Sequence, residues 1–312
     1  MEIRFDEKDE KRNTKFTALG MSGVGKTCYI IGMHYLMASG EKGWTLLCSD
    51  NATQDKLNRW SKKIDRAELG NDRFPPGTPR EARAENYHFE LRYLAKPIMG
   101  FEWIDYAGGL FEETASDDFS EIEKSISEST ALYIFLDGKE LCHEQLNKKV
   151  RNIRRCANYI QPCITEFLDK HDYIPPVVFV ITKYDLCQCY NTPEELHEIL
   201  KEAFSSLFYD PHAEIYITHV SLGDEISKDE YTGEVDPINI QVPFFIGIHH
   251  QLVKTYHSMD ELLRKSSGEL YRRMVSNMTD VLHQKSSVFE IVKGDKNGGS
   301  IRPFDADEWR IY

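Results

Sequence analysis

The sequence predicts an α/β fold in which a mostly parallel sheet is covered by helices on both faces. The first observation is a strand, a glycine-rich turn and a helix in succession over Lys15–Ala38. The second is a series of short apolar runs separated by helical stretches, a pattern typical of parallel strands buried on both faces. The third is the composition, because 41% hydrophobic and 29% charged residues are typical of a folded globular chain.

Length and charge restrict the classes of function. A chain of 312 residues is long enough for one large domain with an appendage. The formal net charge of −13 argues against a protein that wraps nucleic acid or anionic lipid. Seven cysteines and no apolar leader predict free thiols in a cytoplasmic protein. No run reaches the roughly 18 apolar residues of a membrane helix, so we expect no intrinsic membrane anchor.

Six segments are expected to form the sheet. Tyr87–Tyr93 alternates apolar and polar residues, which is typical of a strand with one face in water, and we interpret it as one antiparallel edge strand. The other five are short and mostly apolar, as parallel strands are. They are Lys15–Leu19, Phe101–Ile104, Ala131–Leu136, Val177–Ile181 and Ile215–Val220.

Helices are predicted where apolar residues recur at three- and four-residue spacing. They cover Lys26–Ala38, Gln54–Leu69, Leu146–Phe167, Pro193–Phe208 and Pro243–Tyr256. The long apolar stripe of Leu146–Phe167 is interpreted as the side that packs on the sheet.

The chain is expected to divide into three parts. The α/β domain covers 1–257, with an insertion at about 41–73 that contains a strand, Trp44–Cys48, and a helix. A helix start at Ser258-x-x-Glu261 predicts a helical extension over 258–292, whose packing partner is either its own domain or a second protein. Residues 293–312, rich in glycine, lysine and aspartate at their start, are expected to be a flexible tail.

The strongest motif is the phosphate loop, Gly20-Met-Ser-Gly-Val-Gly-Lys26-Thr27, which fits G-x-x-x-x-G-K-[ST]. Glycines let backbone N–H groups converge on a phosphate, and the following helix N-terminus adds its dipole. Lys26 is expected to reach the β- and γ-phosphates, and Thr27 to bind Mg²⁺. The predicted nucleotide contacts here are Gly20, Ser22, Gly23, Val24, Gly25, Lys26, Thr27 and Cys28.

A second motif, Thr182-Lys183-Tyr184-Asp185, ends an apolar strand and resembles the guanine-recognition motif of GTPases. A carboxylate at Asp185 can accept two hydrogen bonds from guanine N1–H and the 2-amino group, whereas adenine offers no such pair of donors. The resemblance implies that Lys183 lies along the base. Ser221-Leu222-Gly223 is a weaker match to a loop that contacts the base through its backbone.

Two further segments resemble the switch elements of such proteins. In Asp105-Tyr-Ala-Gly108, the resemblance implies that Asp105 holds the metal through water and that the Gly108 N–H senses the γ-phosphate. Thr78 follows Phe74-Pro-Pro-Gly and is placed like the threonine that closes over Mg²⁺. The implied metal ligands are therefore Thr27, Thr78 and Asp105.

Together these motifs make residues 14–257 resemble a Ras-like P-loop GTPase of the translation-factor-related (TRAFAC) class. The resemblance implies a three-layer fold with a six-stranded sheet, an insertion after the first helix and an appended C-terminal helix. It also implies GTP or GDP and Mg²⁺ as ligands. The long segment between Thr27 and Thr78 is most similar to bacterial double-GTPases and conflict-system GTPases.

Gly109 departs from the small-GTPase pattern, in which the residue after D-x-x-G is usually a glutamine that orients the attacking water. The expected catalytic set is therefore Lys26, Thr78, Gly108 and Gly109, with slow hydrolysis that needs a helper protein or a substitute group in the chain. The candidate substitutes are Arg73, Arg80, Arg83, Glu112 and Glu113.

Three functions remain open at this point. The first is a GTP-dependent switch that acts on a protein partner through its switch loops, insertion and C-terminal helix. The second is a scaffold that holds guanine nucleotide without hydrolysing it, which Gly109 favours and the complete metal-ligand set disfavours. The third is an ATP-using enzyme, which would require Thr182–Asp185 to match by chance.

Overall fold

The computed structural model describes residues 14–65, 74–111, 116–223 and 235–311. Within them, nine strands form a single sheet in the order β2-β3-β4-β1-β5-β6-β7-β8-β9. The strands are β1 Thr14–Leu19, β2 Trp44–Cys48, β3 Ala84–Tyr93, β4 Lys96–Tyr106, β5 Ala131–Asp137, β6 Val177–Thr182, β7 Glu214–His219, β8 Phe289–Lys293 and β9 Ser300–Arg302.

The centre of the sheet is parallel and both edges are antiparallel. Strands β4, β1, β5, β6 and β7 pair in parallel. The pairs β2–β3, β3–β4, β7–β8 and β8–β9 are antiparallel. The parallel centre places the carboxyl ends of five strands at one edge of the molecule, which is where ligands bind in such sheets.

The prediction of six strands with one antiparallel edge strand is wrong in its count. The insertion strand β2 pairs outside β3, so β3 lies inside the sheet, and β8 and β9 extend the opposite edge. Tyr87 and Phe89 of β3 are buried while His88 between them is exposed. The alternation of apolar and polar residues therefore indicates that one face of β3 is covered by the core. It does not indicate whether β3 has one neighbouring strand or two.

Helices cover both faces of the sheet, as predicted. On one face lie α1 Lys26–Ala38, α2 Asn51–Asp65, α8 Gln241–Ser258 and α9 Glu261–Gln284. On the other lie α3 Ser116–Glu128, α4 Leu146–Lys170, α6 Pro193–Ala203 and α7 Ser205–Phe208. A short helix, α5 Tyr184–Cys187, follows β6. Along β5, Tyr133 and Phe135 join one core while Leu132 and Ile134 join the other.

Two helices differ from the prediction. The segment Pro193–Phe208 is two helices, which are separated at Phe204. Helix α3 was not predicted, because within its described part the buried apolar stripe is formed by Ile122 and Ile126 alone, among charged residues and serines. A stripe this sparse is a weak periodic signal.

Helix α8 packs closely against the central strand β5. A Cβ added at Gly247 would lie 2.1 Å from the Tyr133 hydroxyl oxygen, so this position admits no side chain. The same hydroxyl donates to the carbonyl oxygen of Pro243 at 3.2 Å. The close contact brings the apolar first half of the helix, residues 242–248, onto the sheet and leaves its outer side to α9.

Helix α9 belongs to the core of the domain. Its N-cap is Asp260, whose side chain accepts from Leu263 N at 2.8 Å, and not Ser258, which ends α8. Met274 of α9 lies in the same apolar core as Trp44 of β2. Trp44 Nε1 also donates to Asn277 Oδ1 at 2.8 Å. The sequence left two packing partners open for this helix, and the structure shows that it packs against its own domain.

The last residues differ from the flexible tail that we expected over 293–312. Strand β8 pairs with β7, and β9 pairs with β8 after a turn through Gly298 and Gly299. Further on, the Trp309 side chain is buried and its carbonyl oxygen lies 2.7 Å from His249 Nε2. Burial lowers the pKa of His249 to about 3, so the imidazole is neutral and its Nε2–H donates to this carbonyl.

We expect Trp309→Ala to destabilise the whole domain, because the indole is buried against His249 and Tyr216. Loss of a buried tryptophan side chain costs about 3–5 kcal/mol of unfolding free energy. Urea unfolding followed by circular dichroism measures this loss. Glu308→Ala, at the exposed neighbouring position, is the matched control, and equal stability of the two variants would show that the C-terminal segment is not part of the core.

Candidate functional site

A cavity of about 320 Å³ opens at the carboxyl ends of the parallel strands. It is lined by residues that follow β1, β4, β5, β6 and β7, and by the loop before β3. Of the residues predicted from sequence, it brings together Ser22, Gly23, Gly25, Lys26, Thr27, Cys28, Thr78, Gly108, Thr182, Lys183, Ser221 and Leu222.

Lys26 is held across the phosphate loop by the loop's own backbone. Its Nζ donates to the carbonyl oxygens of Gly20 at 2.8 Å and Met21 at 3.2 Å. The side chain is 7% exposed, and burial lowers the pKa of Lys26 while the nearby charge of Asp105 opposes that shift. A buried ammonium group at a helix N-terminus can stabilise a bound phosphate strongly.

The end of β6 holds the same loop from the other side. Thr182 Oγ1 donates to the Val24 carbonyl oxygen at 2.6 Å, and Lys183 Nζ donates to the Gly23 carbonyl oxygen at 3.2 Å. Lys183 Nζ also forms an ion pair with Asp137 Oδ2 at 2.5 Å. The loop carbonyls are therefore bonded by side chains, which leaves the loop N–H groups for a ligand.

The loop requires glycine at two positions. Gly23 has a φ of 77° and Gly25 a φ of 96°, both in the left-handed region that side chains with a Cβ rarely adopt. Consecutive N–H groups in this conformation form a concave anion-binding surface. Among the described residues, the N–H groups of Ser22, Gly23 and Gly25 donate to no acceptor.

Asp105 lies at the end of β4 and is completely buried. Its Oδ2 accepts a hydrogen bond from Thr27 Oγ1 at 3.1 Å. Its Oδ1 has no hydrogen bond to any described residue, and Lys26 Nζ is 3.9 Å away. Burial raises the pKa of Asp105 to about 6. An unsatisfied carboxylate oxygen beside a hydroxyl is a donor set that suits Mg²⁺, which prefers oxygen ligands.

The two predicted switch elements meet at Ser22 of the phosphate loop. A Cβ added at Gly108 would lie 2.0 Å from Ser22 N, so only glycine permits this approach. A Cβ added at Gly77 would lie 3.0 Å from Ser22 Oγ. Thr78 follows Gly77 and lines the cavity together with Thr27. The structure therefore brings both loops to the phosphate end of the cavity.

Asp185 does not line the cavity, but its neighbours Lys183 and Leu186 do. It is 7% exposed, and its Oδ1 accepts from Ser221 Oγ at 2.8 Å. Ser221 Oγ in turn accepts from Gly223 N at 3.1 Å. The predicted base-contacting loop and the Thr182–Asp185 segment are thus hydrogen-bonded to each other.

Five predicted residues do not line the cavity itself. They are Gly20, Val24, Asp105, Gly109 and Asp185. Gly20 and Val24 instead accept the hydrogen bonds that hold the phosphate loop. Asp105 lies behind Thr27 and Lys26.

The sequence analysis missed several residues that line the cavity. The polar one is Lys139, which follows β5 and whose backbone N–H donates to Asp137 Oδ1 at 2.9 Å. A charged residue two positions after a buried strand was the available signal. The apolar ones and their neighbours are Tyr29, Phe74, Pro75, Pro76, Leu186, Val220 and Ile240.

The candidate substitute groups for the missing glutamine differ in their positions relative to Gly109. Arg83 forms an ion pair with Glu121 of α3 at 2.6 Å. Arg80 lies beside Gly109, because a Cβ added at Gly109 would be 3.7 Å from Arg80 Cβ. The other three candidates, Arg73, Glu112 and Glu113, lie outside the described residues.

Comparison with known proteins identifies a family and finds solved structures with a similar fold. The family model described as Double-GTPase 2 matches residues 17–228. The signal recognition particle receptor SRb-GTP/SRX complex from Chaetomium thermophilum is similar with a TM-score of 0.44 and 14% identity, over 76% of this chain and 98% of that chain. No curated protein matches the sequence. No described helix has the length and apolar composition needed to cross a bilayer.

We expect Asp185→Asn to weaken GTP binding and strengthen XTP binding. The amide oxygen can still accept the hydrogen bond from Ser221, and the amide NH₂ can donate to the 2-oxo group of xanthine. The amide has one acceptor oxygen where the carboxylate has two, so it loses a hydrogen bond from guanine. Each lost hydrogen bond to a charged group costs about 1.5–3 kcal/mol, so GTP affinity should fall at least about tenfold.

Competition of GTP and XTP against a fluorescent guanine nucleotide measures this preference. Glu194→Gln makes the same carboxylate-to-amide change at an exposed position and should leave both affinities unchanged. If Asp185→Asn binds GTP as tightly as the wild type does, Asp185 does not contact the base.

Proposed function

Because the chain belongs to the Double-GTPase 2 family and is a GTP-binding GTPase, we propose that it is a Mg²⁺-dependent molecular switch with slow intrinsic hydrolysis. The observation that carries this proposal is the single cavity that joins the phosphate loop, the Thr182–Lys183 strand end and the loops at Thr78 and Gly108. A switch requires this arrangement, since both loops must be able to respond to the γ-phosphate.

At the phosphate end, Lys26 and the N–H groups of Ser22, Gly23 and Gly25 bind the β- and γ-phosphates in this proposal. Support comes from the buried position of Lys26 and from the side-chain donors that already occupy the loop carbonyls. The preformed arrangement means that the site loses little entropy when the phosphate binds.

At the base end, Asp185 reads guanine in this proposal and Lys183 lies along the base. Support comes from the Ser221–Asp185 hydrogen bond, which fixes the carboxylate beside the predicted base-contacting loop. Lys183 is also fixed, by its bonds to Gly23 and Asp137. Both side chains are therefore oriented before a nucleotide enters.

Thr27, Thr78 and Asp105 would hold Mg²⁺. The unpartnered Asp105 Oδ1 among the described residues and the adjacent Thr27 hydroxyl support this assignment. When bound, the ion neutralises charge on the transferring phosphate. Thr27 of α1 and Thr78 of the loop before β3 both line the cavity, so a shared ligand would couple the loop at Thr78 to the nucleotide state.

The proposed partner is a protein that contacts the loops around Thr78 and Gly108, because these change with the nucleotide. Helix α9 is less available for this role than the sequence indicated, since it packs in the domain core. A cytoplasmic location is part of the proposal and is supported by seven free cysteines. The net charge of −13 supports a partner other than nucleic acid.

The alternative is a scaffold that binds guanine nucleotide without turnover. Gly109 favours it, because glycine offers no side chain to orient water. The buried Asp105 beside Thr27 favours the switch, because a scaffold needs no such carboxylate to hold a nucleotide.

We expect Gly109→Gln to increase single-turnover GTP hydrolysis modestly. Among the described residues, the new Cβ would be in ordinary contact with Arg80 at 3.7 Å, so the position admits a side chain, and we expect its amide to orient the attacking water. Phosphate release from preloaded GTP measures the rate. A wild-type rate typical of assisted GTPases, together with a slower variant, would contradict the proposal of a site that lacks water positioning.

Lys26→Ala is the reference for loss of GTP binding, measured by titration with a fluorescent guanine nucleotide. It should remove measurable GTP binding, because the phosphates lose the buried cation at the centre of the loop. Unchanged GTP affinity in the folded variant would rule out the assignment of the phosphate loop. No hydrolysis by the wild type, despite tight binding, would support the scaffold instead.

A further inference from the structure

Glu85 lies directly opposite Asp105 in the antiparallel pairing of β3 with β4. The next pair on the same face of the sheet is Tyr87 with Trp103, and both of these side chains are buried. Side chains of directly opposed residues point to one face, with Cβ atoms about 4.5–5.5 Å apart. Glu85 is therefore a second carboxylate beside the buried carboxylate of the proposed Mg²⁺ site.

The carboxylate of Glu85 is held at both of its oxygens. Its Oε1 forms an ion pair with Lys56 Nζ at 2.5 Å, and its Oε2 accepts a hydrogen bond from the Tyr87 hydroxyl at 2.7 Å. The Lys56 ammonium group also lies over the Tyr87 ring, 5.1 Å from the ring centroid. Because these contacts fix the carboxylate, it acts on the neighbouring site through its charge.

Lys56 comes from the insertion, where it lies on α2. The start of this helix is fixed by Asp50, whose Oδ1 accepts from Thr53 N at 2.7 Å. Leu57, the residue after Lys56, is buried in the apolar core. The insertion therefore holds a cation at the start of β3, where the loop that contains Thr78 enters the sheet.

The charges of Glu85 and Lys56 act on Asp105 in opposite directions. Burial is the main cause of the raised pKa of Asp105, and among the smaller causes the charge of Glu85 raises it and the charge of Lys56 lowers it. A cation bound beside Asp105 is attracted by the first charge and repelled by the second.

We infer that the Lys56–Glu85 ion pair sets the Mg²⁺ affinity of the site, because Glu85 strengthens binding of the ion through its position beside Asp105 and Lys56 weakens it. This inference rests on the proposed Mg²⁺-dependent switch. It gives the insertion a function besides the extension of the sheet by β2, since α2 limits how firmly the ion is held. Mg²⁺ and nucleotide stabilise each other in the site, so α2 also limits how long the nucleotide stays bound.

The test is release of a fluorescent, non-hydrolysable GTP analogue from the full chain over a series of buffered free Mg²⁺ concentrations. The midpoint of the Mg²⁺ dependence reports the affinity for the ion without any need for hydrolysis. We expect Glu85→Gln to raise this midpoint about fivefold and Lys56→Met to lower it about fivefold, as one unit charge close to a divalent ion does. Methionine keeps an unbranched apolar side chain over Tyr87.

The opposite signs distinguish this function from a structural one. Both substitutions break the same ion pair, so a pair that only stabilises the fold would shift both midpoints in the same direction. Lys56→Glu combined with Glu85→Lys keeps an ion pair but places the cation beside Asp105. This exchange variant should raise the midpoint more than Glu85→Gln does, and it remains available if a single variant does not fold by circular dichroism.

Glu202→Gln is the matched control. It breaks an exposed ion pair, Arg154 with Glu202 at 2.6 Å, on the other face of the sheet, and it changes the net charge by the same amount as Glu85→Gln. It should leave the midpoint unchanged.

Unchanged midpoints in both single variants, shifts in the same direction, or a wild-type midpoint in the exchange variant would overturn the inference and leave the switch standing. Release from the wild type that does not depend on Mg²⁺ would instead reject the proposed Mg²⁺-dependent function, and the role of the ion pair with it.

Discussion

The hydrogen bonds from the end of β6 to the phosphate loop are the contacts on which the site depends. Thr182 and Lys183 bond the carbonyl oxygens of Val24 and Gly23, and Lys26 bonds those at the start of the loop. Because the carbonyl side is satisfied by protein donors, the N–H side remains for an anion. Thr182, the last residue of β6, and Lys183, which follows it, also belong to the predicted base-recognition segment, so this segment is fixed relative to the phosphate loop.

The sheet accounts for how these groups come together. Five parallel strands end at the same edge, and each of β1, β4, β5, β6 and β7 delivers a loop to it. The antiparallel additions stabilise this centre from both sides. The insertion strand β2 is joined to α9 through Trp44 and Asn277, and β8 extends the sheet beyond β7. The insertion and the C-terminal segment are therefore structural parts of one domain.

The sequence predicted the features that have a strong local pattern of residue types. Glycines at fixed spacing located the phosphate loop, and buried apolar runs located the parallel strands. It failed where the signal was short or where contacts join distant segments. Phe289–Lys293 is five residues long and became a strand through pairing with β7. Lys139 lines the cavity because β5 ends at the cavity. Arg80 lies beside Gly109 because the loop before β3 packs against the end of β4. Neither residue spacing nor composition predicts such contacts between distant segments.

In the proposed function, loop N–H groups bind the phosphates while the Thr182–Asp185 segment selects guanine. The most direct measurement is an amide NMR titration of ¹⁵N-glycine-labelled protein with GTP or ATP in the presence of Mg²⁺. We expect large shifts of the Gly23 and Gly25 amide resonances with GTP, and no shifts with ATP at the same concentration. Equal shifts with both nucleotides, or GTP-dependent shifts confined to glycines remote from the loop, such as Gly100 and Gly247, would contradict it.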